Sequence, residues 1–320
     1  MSEKINNQNV APNTSSLKVM KERNMKDVTT TAKIMGVVGM IATYLFLFIM
    51  ALIVLFPFYW MLISSVKSVT EYNLATPTLW PQVIHWENYG KALVAANLEN
   101  VFTNTIYVGL VSTVLSLVIT VLCAFAFARL EFKGKNAMFA ALLGTMMIPG
   151  ELFTITNYQT VTYLGWINME KYGFTILIVP FLVSIFYIYL LRQNFLQIPN
   201  ELYLAAKVDG VSDIKYLWKV MIPLALPTLI SITILKMMGS WNTYVWPNLV
   251  VTGKYRENGK YLLVTNGIRG GDYSVDGDIN MIDYPVQMAA VALVSLPLFM
   301  VFIFLRKYIM KGVSRSGIKG

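Results

Sequence analysis

Few side chains in this chain could do chemistry, and most of those lie in apolar surroundings. Lys236 is the one charged residue in the run Leu224–Val245. An ammonium inside a bilayer costs about 2.5–3.5 kcal/mol on insertion scales and usually faces a bundle interior or a water-filled path. It is therefore a lining residue of such a path, a structural pair for a partner subunit, or a lysine whose stem reaches outward to the interface. Glu151 follows Pro149-Gly150. It either lines a cavity, accepting hydrogen bonds from substrate hydroxyls, or lies at a membrane surface. Trp241, Asn242, Tyr244 and Trp246 combine aromatic faces with an amide. Sugars suit such a set, because their C–H faces stack on rings and their hydroxyls pair with amides. The same residues also suit an aromatic belt at headgroup depth.

Other chemistry is excluded by what the chain lacks. Asp276-Gly277-Asp278-Ile279-Asn280 has acidic spacing like a calcium loop, but Met281 stands where that loop needs glycine. One cysteine, Cys123, cannot form an internal disulfide, and one histidine, His85, cannot build a zinc site with it. No metal is expected. The phosphate-cradling pattern G-x-x-x-x-G-K-[ST] is absent, so the chain is expected to bind no nucleotide or other cofactor itself. With no clustered acids in apolar runs, an enzyme is not expected.

The elements that hold these residues are membrane spans. Of 320 residues, 56% are apolar and only 13% charged; a soluble domain carries about a quarter charged. Six runs reach the roughly 20 apolar residues a bilayer needs. They are Ile34–Ile63, Thr105–Ala128, Ala137–Asn157 with a break at Pro149-Gly150, Gly173–Leu191 around Pro180, Leu224–Val245, and Tyr284–Leu305. The first is too long for a cleaved signal and lacks a cleavage site. An all-α membrane protein follows. Its six-span domain covers 34–305, between a polar tail at 1–33, expected to be disordered, and a tail at 306–320.

Charge orients the spans. Eighteen of the 26 Lys and Arg residues lie in Met1–Lys33, Arg129–Asn136, Arg192–Ile222 and Arg306–Gly320. Seven lie in Ser64–Asn104, Tyr158–Tyr172 and Trp246–Asp283, and Lys236 is the remaining one. Basic residues stay on the cytoplasmic side, so both termini are expected there, with 64–104 and 246–283 as external loops. The net charge of +9 is then a topology signal rather than a sign of nucleic-acid binding.

One cytoplasmic connection is unlike the rest. In 198–222, Pro199-Asn200-Glu201 reads as a helix start with acid in its first turn. Leu204-Ala205-Ala206-Lys207 are strong helix formers. Gly210, after Asp209, ends that helix, because glycine accepts the left-handed cap conformation. Ser212 caps a second helix, with Asp213 at its positive end. Ile214, Leu217, Trp218 and Met221 fall on one apolar side, and Pro223 ends it. Exposed apolar surface on two short capped helices requires a partner groove.

Pro-x-Glu-Leu-x-x-Ala-Ala-x-x-Asp-Gly-x-Ser over Pro199–Ser212 resembles the EAA loop of ABC importer permeases. The resemblance covers nearly the whole chain and is to the carbohydrate-importer branch that contains the maltose-type second permease. Pro77, Trp80-Pro81, Asn88-Tyr89, Ala124–Leu130, Trp241-Asn242-x-Tyr244-x-Trp246-Pro247 and the tail Gly312–Gly320 carry it further. It implies the six-helix type I importer fold in a bacterial inner membrane. It also implies a coupling helix that docks on a separate ATP-hydrolysing subunit dimer, with ATP and Mg bound there. A second homologous permease, distinct from this chain, an extracytoplasmic solute-binding protein and a sugar substrate, an oligosaccharide, complete the assembly. Glu201, Leu204, Ala205, Ala206, Asp209, Gly210 and Ser212 are then coupling residues. Glu151, Lys236, Trp241, Asn242 and Tyr244 are candidates for the translocation path. The external stretch Gly253–Asp283 would reach into the docked binding protein. The family usually has Glu where this chain has Leu204; Glu201, three residues earlier, lies on nearly the same helical face.

The competing class is a self-contained secondary transporter. Such proteins carry internal repeats and buried carboxylates for coupling ions. This sequence shows no convincing repeat, and of its charged residues only Lys236 is clearly intramembrane.

Overall fold

The computed structural model describes residues 14–167, 170–257, 259–275 and 278–314. The chain divides into two compact units, Met1–Trp60 and Met61–Gly320.

The first unit holds most of helix α1 (Thr14–Ser64). Its stretch from Met35 has a mean hydropathy of 2.7 in its most apolar window. From Met35 to Tyr59 the side chains are exposed on every side of the helix, the pattern of a helix surrounded by lipid or protein rather than water. Residues 14–33, expected to be disordered, are helical instead. Thr14, Ser15 and Ser16 are favoured at helix starts, and strong helix formers follow through Lys26. The rest of that expected tail lies outside the described residues.

The second unit is helical around one long element. After α2 (Val69–Tyr72) and α3 (Glu87–Ala95) comes α4 (Leu98–Arg129), a straight span. The next three spans are bent pairs. α5 (Lys135–Thr145) and α6 (Gly150–Tyr163) meet at 95°. α7 (Gly173–Ile178), with the 3-10 turn Val179–Phe181, meets α8 (Ile185–Gln197) at 50°. After α9 (Asn200–Val208), the run from α10 (Asp213–Tyr216) to α11 (Ile222–Leu224) meets α12 (Leu226–Asn242) at 80°. α13 (Val245–Val250), α14 (Lys254–Glu257) and α15 (Val264–Gly270) follow, then a small antiparallel hairpin, β1 (Ser274–Val275) with β2 (Asp278–Ile282). α16 (Tyr284–Ser314) closes the chain.

Among the described residues, three helices are long and apolar enough to cross a membrane unbroken, and the number rises to six when each bent pair counts as one span. Proline explains the bends. Pro149 sits in extended backbone at the start of α6, Pro180 interrupts the fourth span, and Pro223 and Pro227 flank the turn at Ala225. Each lacks an N–H and frees a carbonyl that neighbours must satisfy.

α4 is the spine. Gly109, Ser112, Thr113, Ser116, Thr120 and Ala124 form a buried face of small residues, which lets helix backbones approach closely. A side chain at Gly109 would come within 3.3 Å of the Met237 sulfur on α12. Two of the apolar clusters lie at opposite ends of α4. One joins Ala124, Phe125 and Ala128 to Leu191, Phe195, Tyr216, Leu217 and Met221. The other joins Leu98 and Val101 to Ala92, Trp241, Val264 and Ala289.

Candidate functional site

The helix–turn–helix lies against the first of these clusters. α9 opens at Pro199, in extended backbone, with Glu201 in its first turn. It ends in a Schellman motif: the Val211 amide donates to the Ala206 carbonyl at 2.8 Å and the Gly210 amide to the Lys207 carbonyl at 3.1 Å. That closure needs a left-handed residue, and Gly210 has φ +70°. Ser212 Oγ then accepts from the Lys215 amide at the start of α10.

A polar clamp joins the two helices. The Tyr203 hydroxyl donates to Asp213 Oδ1 at 2.8 Å, and Lys207 Nζ lies 2.7 Å from the same oxygen. The Tyr203 ring packs on Tyr216, centroids 5.2 Å apart. Lys207 holds the Asp213 carboxyl below the usual carboxylate range, and Tyr203 adds to this. Asp213 in turn holds the Lys207 ammonium above its ordinary value. Asp213 therefore supports the clamp above the ordinary Asp pKa and loses that role as pH falls through its lowered value. Lys207 supports it below the ordinary Lys pKa and loses that role as pH rises through its raised value. Amide-exchange protection at Val211 and Lys215, corrected for intrinsic rates, is expected to stay flat from about pH 5 to about pH 9. A decline inside that window would show that the clamp does not hold the turn.

One face of this unit is buried and the other open. Tyr203, Ala206 and Val211 pack on the core cluster. Leu202, Leu204, Val208, Ile214 and Trp218 are exposed, Val208 by 89%. The expected apolar stripe on the second helix divides: Leu217 and Met221 are buried with Tyr216, while Ile214 and Trp218 face outward. The helix continues in a π-turn over Leu217–Met221, in which the Ile222 amide bonds to the Leu217 carbonyl five residues back. The wider turn brings Tyr216 and Met221 to one face, which a 3.6-residue period would not.

Arg129 fastens this unit to α4. Its guanidinium, at the buried end of that helix, donates to the carbonyls of Phe195 at 2.9 Å and Ile198 at 2.5 Å. A longer contact of 3.5 Å reaches Asn200 Oδ1, in the first turn of α9. Arg192, on α8, returns the link by donating to the Phe127 carbonyl at 3.1 Å. A planar fork at a helix C-terminus satisfies carbonyls the helix leaves open and suits its negative end.

Between the two ends lies a cavity of about 620 Å³, within the size range of small-molecule sites. Hydroxyl and amide groups of Ser112, Thr145, Asn157, Ser184, Ser240 and Thr243 line it, with Phe153, Phe181 and Trp246 among its apolar walls. Lys236 enters it from α12 and donates to the Phe181 carbonyl at 2.7 Å, at the break of the fourth span.

Residues 28–315 match the family model described as the binding-protein-dependent transport system inner membrane component. The chain belongs to that family. It is thus an integral-membrane permease component of an ABC transporter, a transport subunit and not an enzyme. A probable ABC transporter permease of Mycoplasma pneumoniae is 31% identical, over 88% of this permease and 89% of its own length. The arabinooligosaccharide permease of Bacillus subtilis is 28% identical, over 88% and 96%. A crystal structure of a bacterial transporter importing the acidic polysaccharide alginate contains a chain 25% identical to this one. It aligns with a TM-score of 0.73 over 84% of this permease and 95% of that chain.

Within the permease, the sequence candidates for a path separate. Of the five, Lys236 lines the cavity; Glu151, Trp241, Asn242 and Tyr244 do not. Trp241 is buried, edge-on to Phe102 at 5.6 Å, so its ring is committed to packing. Tyr244 lies beneath the Arg269 guanidinium, 4.5 Å away. Glu151 and Asn242 are exposed. Trp246 does line the cavity, and its indole N–H donates to the Ile176 carbonyl at 2.9 Å.

The sequence did not single out Arg129 as a link, although an arginine closing a span just before a basic turn is the available signal. Nor did it single out the buried group at Lys67, which donates to the Thr78 carbonyl at 2.5 Å. Beside it, Glu71 accepts from Thr78 Oγ1 at 2.6 Å and from the Gln82 amide. Among the described residues, no His, Cys, Asp and Glu group could hold a metal. The side chains of the Asp276–Asn280 spacing lie outside them.

Proposed function

We propose that this permease is one of two homologous, non-identical membrane subunits of a bacterial inner-membrane importer for oligosaccharides. A separate ATPase dimer, which alone binds ATP and Mg, drives it, and an external binding protein delivers the sugar. The exposed apolar face of α9 and α10 carries the reading. Five large apolar side chains turned outward on two capped, clamped helices form a surface made for a groove.

The coupling residues then divide by task. Leu202, Leu204 and Val208 enter the ATPase groove, with Glu201 as the acid beside Leu204. Ala205 permits close approach of the helix. Ala206 packs inward, while Asp209, Gly210 and Ser212 shape the turn. When ATP closes the partner dimer, the docked pair moves as one body. Arg129 passes that movement to α4 and α8, and the buried Tyr216–Met221 stretch passes it to α12. The spans then exchange inward- and outward-facing packings. Both termini and α9–α10 lie on the cytoplasmic side in this reading, by the distribution of Lys and Arg. The relatives that handle arabinooligosaccharides and alginate support a carbohydrate cargo, and the cavity's hydroxyl and amide lining suits one.

Affinity purification of the tagged chain from its native membrane in mild detergent tests this. A second polytopic subunit and a nucleotide-binding ATPase are expected to co-purify. Recovery of this chain alone, transporting sugar in liposomes without ATP, would refute the reading.

A further inference from the structure

We infer that the cavity around Lys236 receives an anionic group carried on the sugar, a carboxylate or a phosphate, and that Lys236 selects it. The inference rests on the sugar-permease reading above and names the class of sugar.

Lys236 is the only charged residue among those lining the cavity, and no carboxylate lines it. The other polar groups there are hydroxyls and an amide, among them Ser112, Asn157, Ser240 and Thr243. Neutral sugars need nothing more. An ammonium adds a desolvation cost that a hydroxyl or amide would avoid.

Its bond to the Phe181 carbonyl does not account for it. That carbonyl is open because the helix stops at Phe181 and the next begins only at Ile185, and a neutral donor could satisfy it equally well. The ammonium has three donors, Phe181 takes one, and no carboxylate lies within ion-pair distance of Lys236 among the described residues. The cavity therefore carries one uncompensated positive charge in a low-dielectric wall, where attraction for an anion is strongest. Ser240 lies one helical turn along α12 from Lys236. Its Oγ is 3.3 Å from Ser112 Oγ, so a hydroxyl pair stands near the ammonium to bind the sugar ring beside its anionic substituent.

Equilibrium binding to the intact complex in nanodiscs, without the binding protein, tests the inference with three labelled trisaccharides. One is neutral, one carries a uronic acid, and one carries a phosphate. At least one anionic form is expected to bind more tightly than the neutral one, and which it is identifies the source of the charge. Lys236→Gln keeps a donor for Phe181 but removes the charge; it is expected to lower that preference about tenfold to a hundredfold. Lys236→Arg is expected to retain it. Equal affinity for all three, no affinity for any, or an unchanged preference in Lys236→Gln would overturn the inference. Uptake by the wild-type complex separates the two claims. A wild type that takes up only the neutral trisaccharide removes this inference and leaves the sugar permease standing. One that takes up no carbohydrate removes both.

Discussion

Gly210→Pro is expected to reduce ATP-driven uptake to background while the permease remains at normal levels in the membrane. Gly210 has φ +70°, and proline holds φ near about −65°. Proline would also delete the Gly210 amide that bonds to the Lys207 carbonyl. The Schellman closure would open, Ser212 would leave the start of α10, and the clamp between Lys207, Tyr203 and Asp213 would lose its geometry. The spans and the buried members of their apolar clusters would be kept, because Gly210 is exposed. Gly210→Ala separates the causes. Its added carbon meets nothing within 4 Å, so only backbone strain remains, about 1–2 kcal/mol. A partial loss is expected there, and a smaller one for Gly210→Asn, since asparagine tolerates the left-handed region. Normal uptake in Gly210→Pro would contradict coupling through this turn.

Arg129→Leu is expected to give a complex that still assembles but hydrolyses ATP without importing. The substitution removes two bonds from a charged donor to the Phe195 and Ile198 carbonyls, each of order 1.5–3 kcal/mol, and leaves those carbonyls buried. The unfolding midpoint of the purified complex is expected to fall by roughly 5–10 °C. The link from α9 to α4 would weaken more than the fold itself, because the apolar contacts of the cluster remain. ATPase activity should therefore lose its dependence on loaded binding protein. Arg129→Lys keeps a charged donor for the two carbonyls, which Nη2 alone serves, but loses the second nitrogen that reaches Asn200, so an intermediate result is expected. Unchanged stimulation in Arg129→Leu would show that force does not pass through this residue.

Much of this molecule is legible from residue types and spacing. Six apolar runs become six spans because bilayer thickness fixes their length, and the breaks fall at Pro149 and Pro180, where an N–H is missing. The helix start at Pro199, the turn at Gly210 and the cap at Ser212 are local events decided by a few neighbouring residues, so sequence reaches them. The failures have physical causes too. The burial of Tyr216 together with Met221 goes with a π-turn, which no period of 3.6 anticipates. Trp241 has the residue type of a sugar platform but is held against Phe102 by the fold of α12 on α4. Lys236 could line, pair or reach outward by its type alone; only the packing of α12 beside the fourth span sets it on the Phe181 carbonyl. Arg129 joins carbonyls 66 and 69 positions along the chain, a relation that spacing does not carry.

The central claim is that the α9–α10 face docks on an ATPase, and cross-linking from that face tests it most directly. Single cysteines at Leu204, Val208 and Trp218, in a chain with Cys123 replaced, would be treated with a short bifunctional reagent in native membranes. A fourth, at Trp86, exposed and outside this segment, serves as the contrast. The account predicts adducts with a nucleotide-binding ATPase from the first three positions, with yields that change when ATP is bound, and none from Trp86. No ATPase adduct from any of the three, or equal yields from all four, would contradict it.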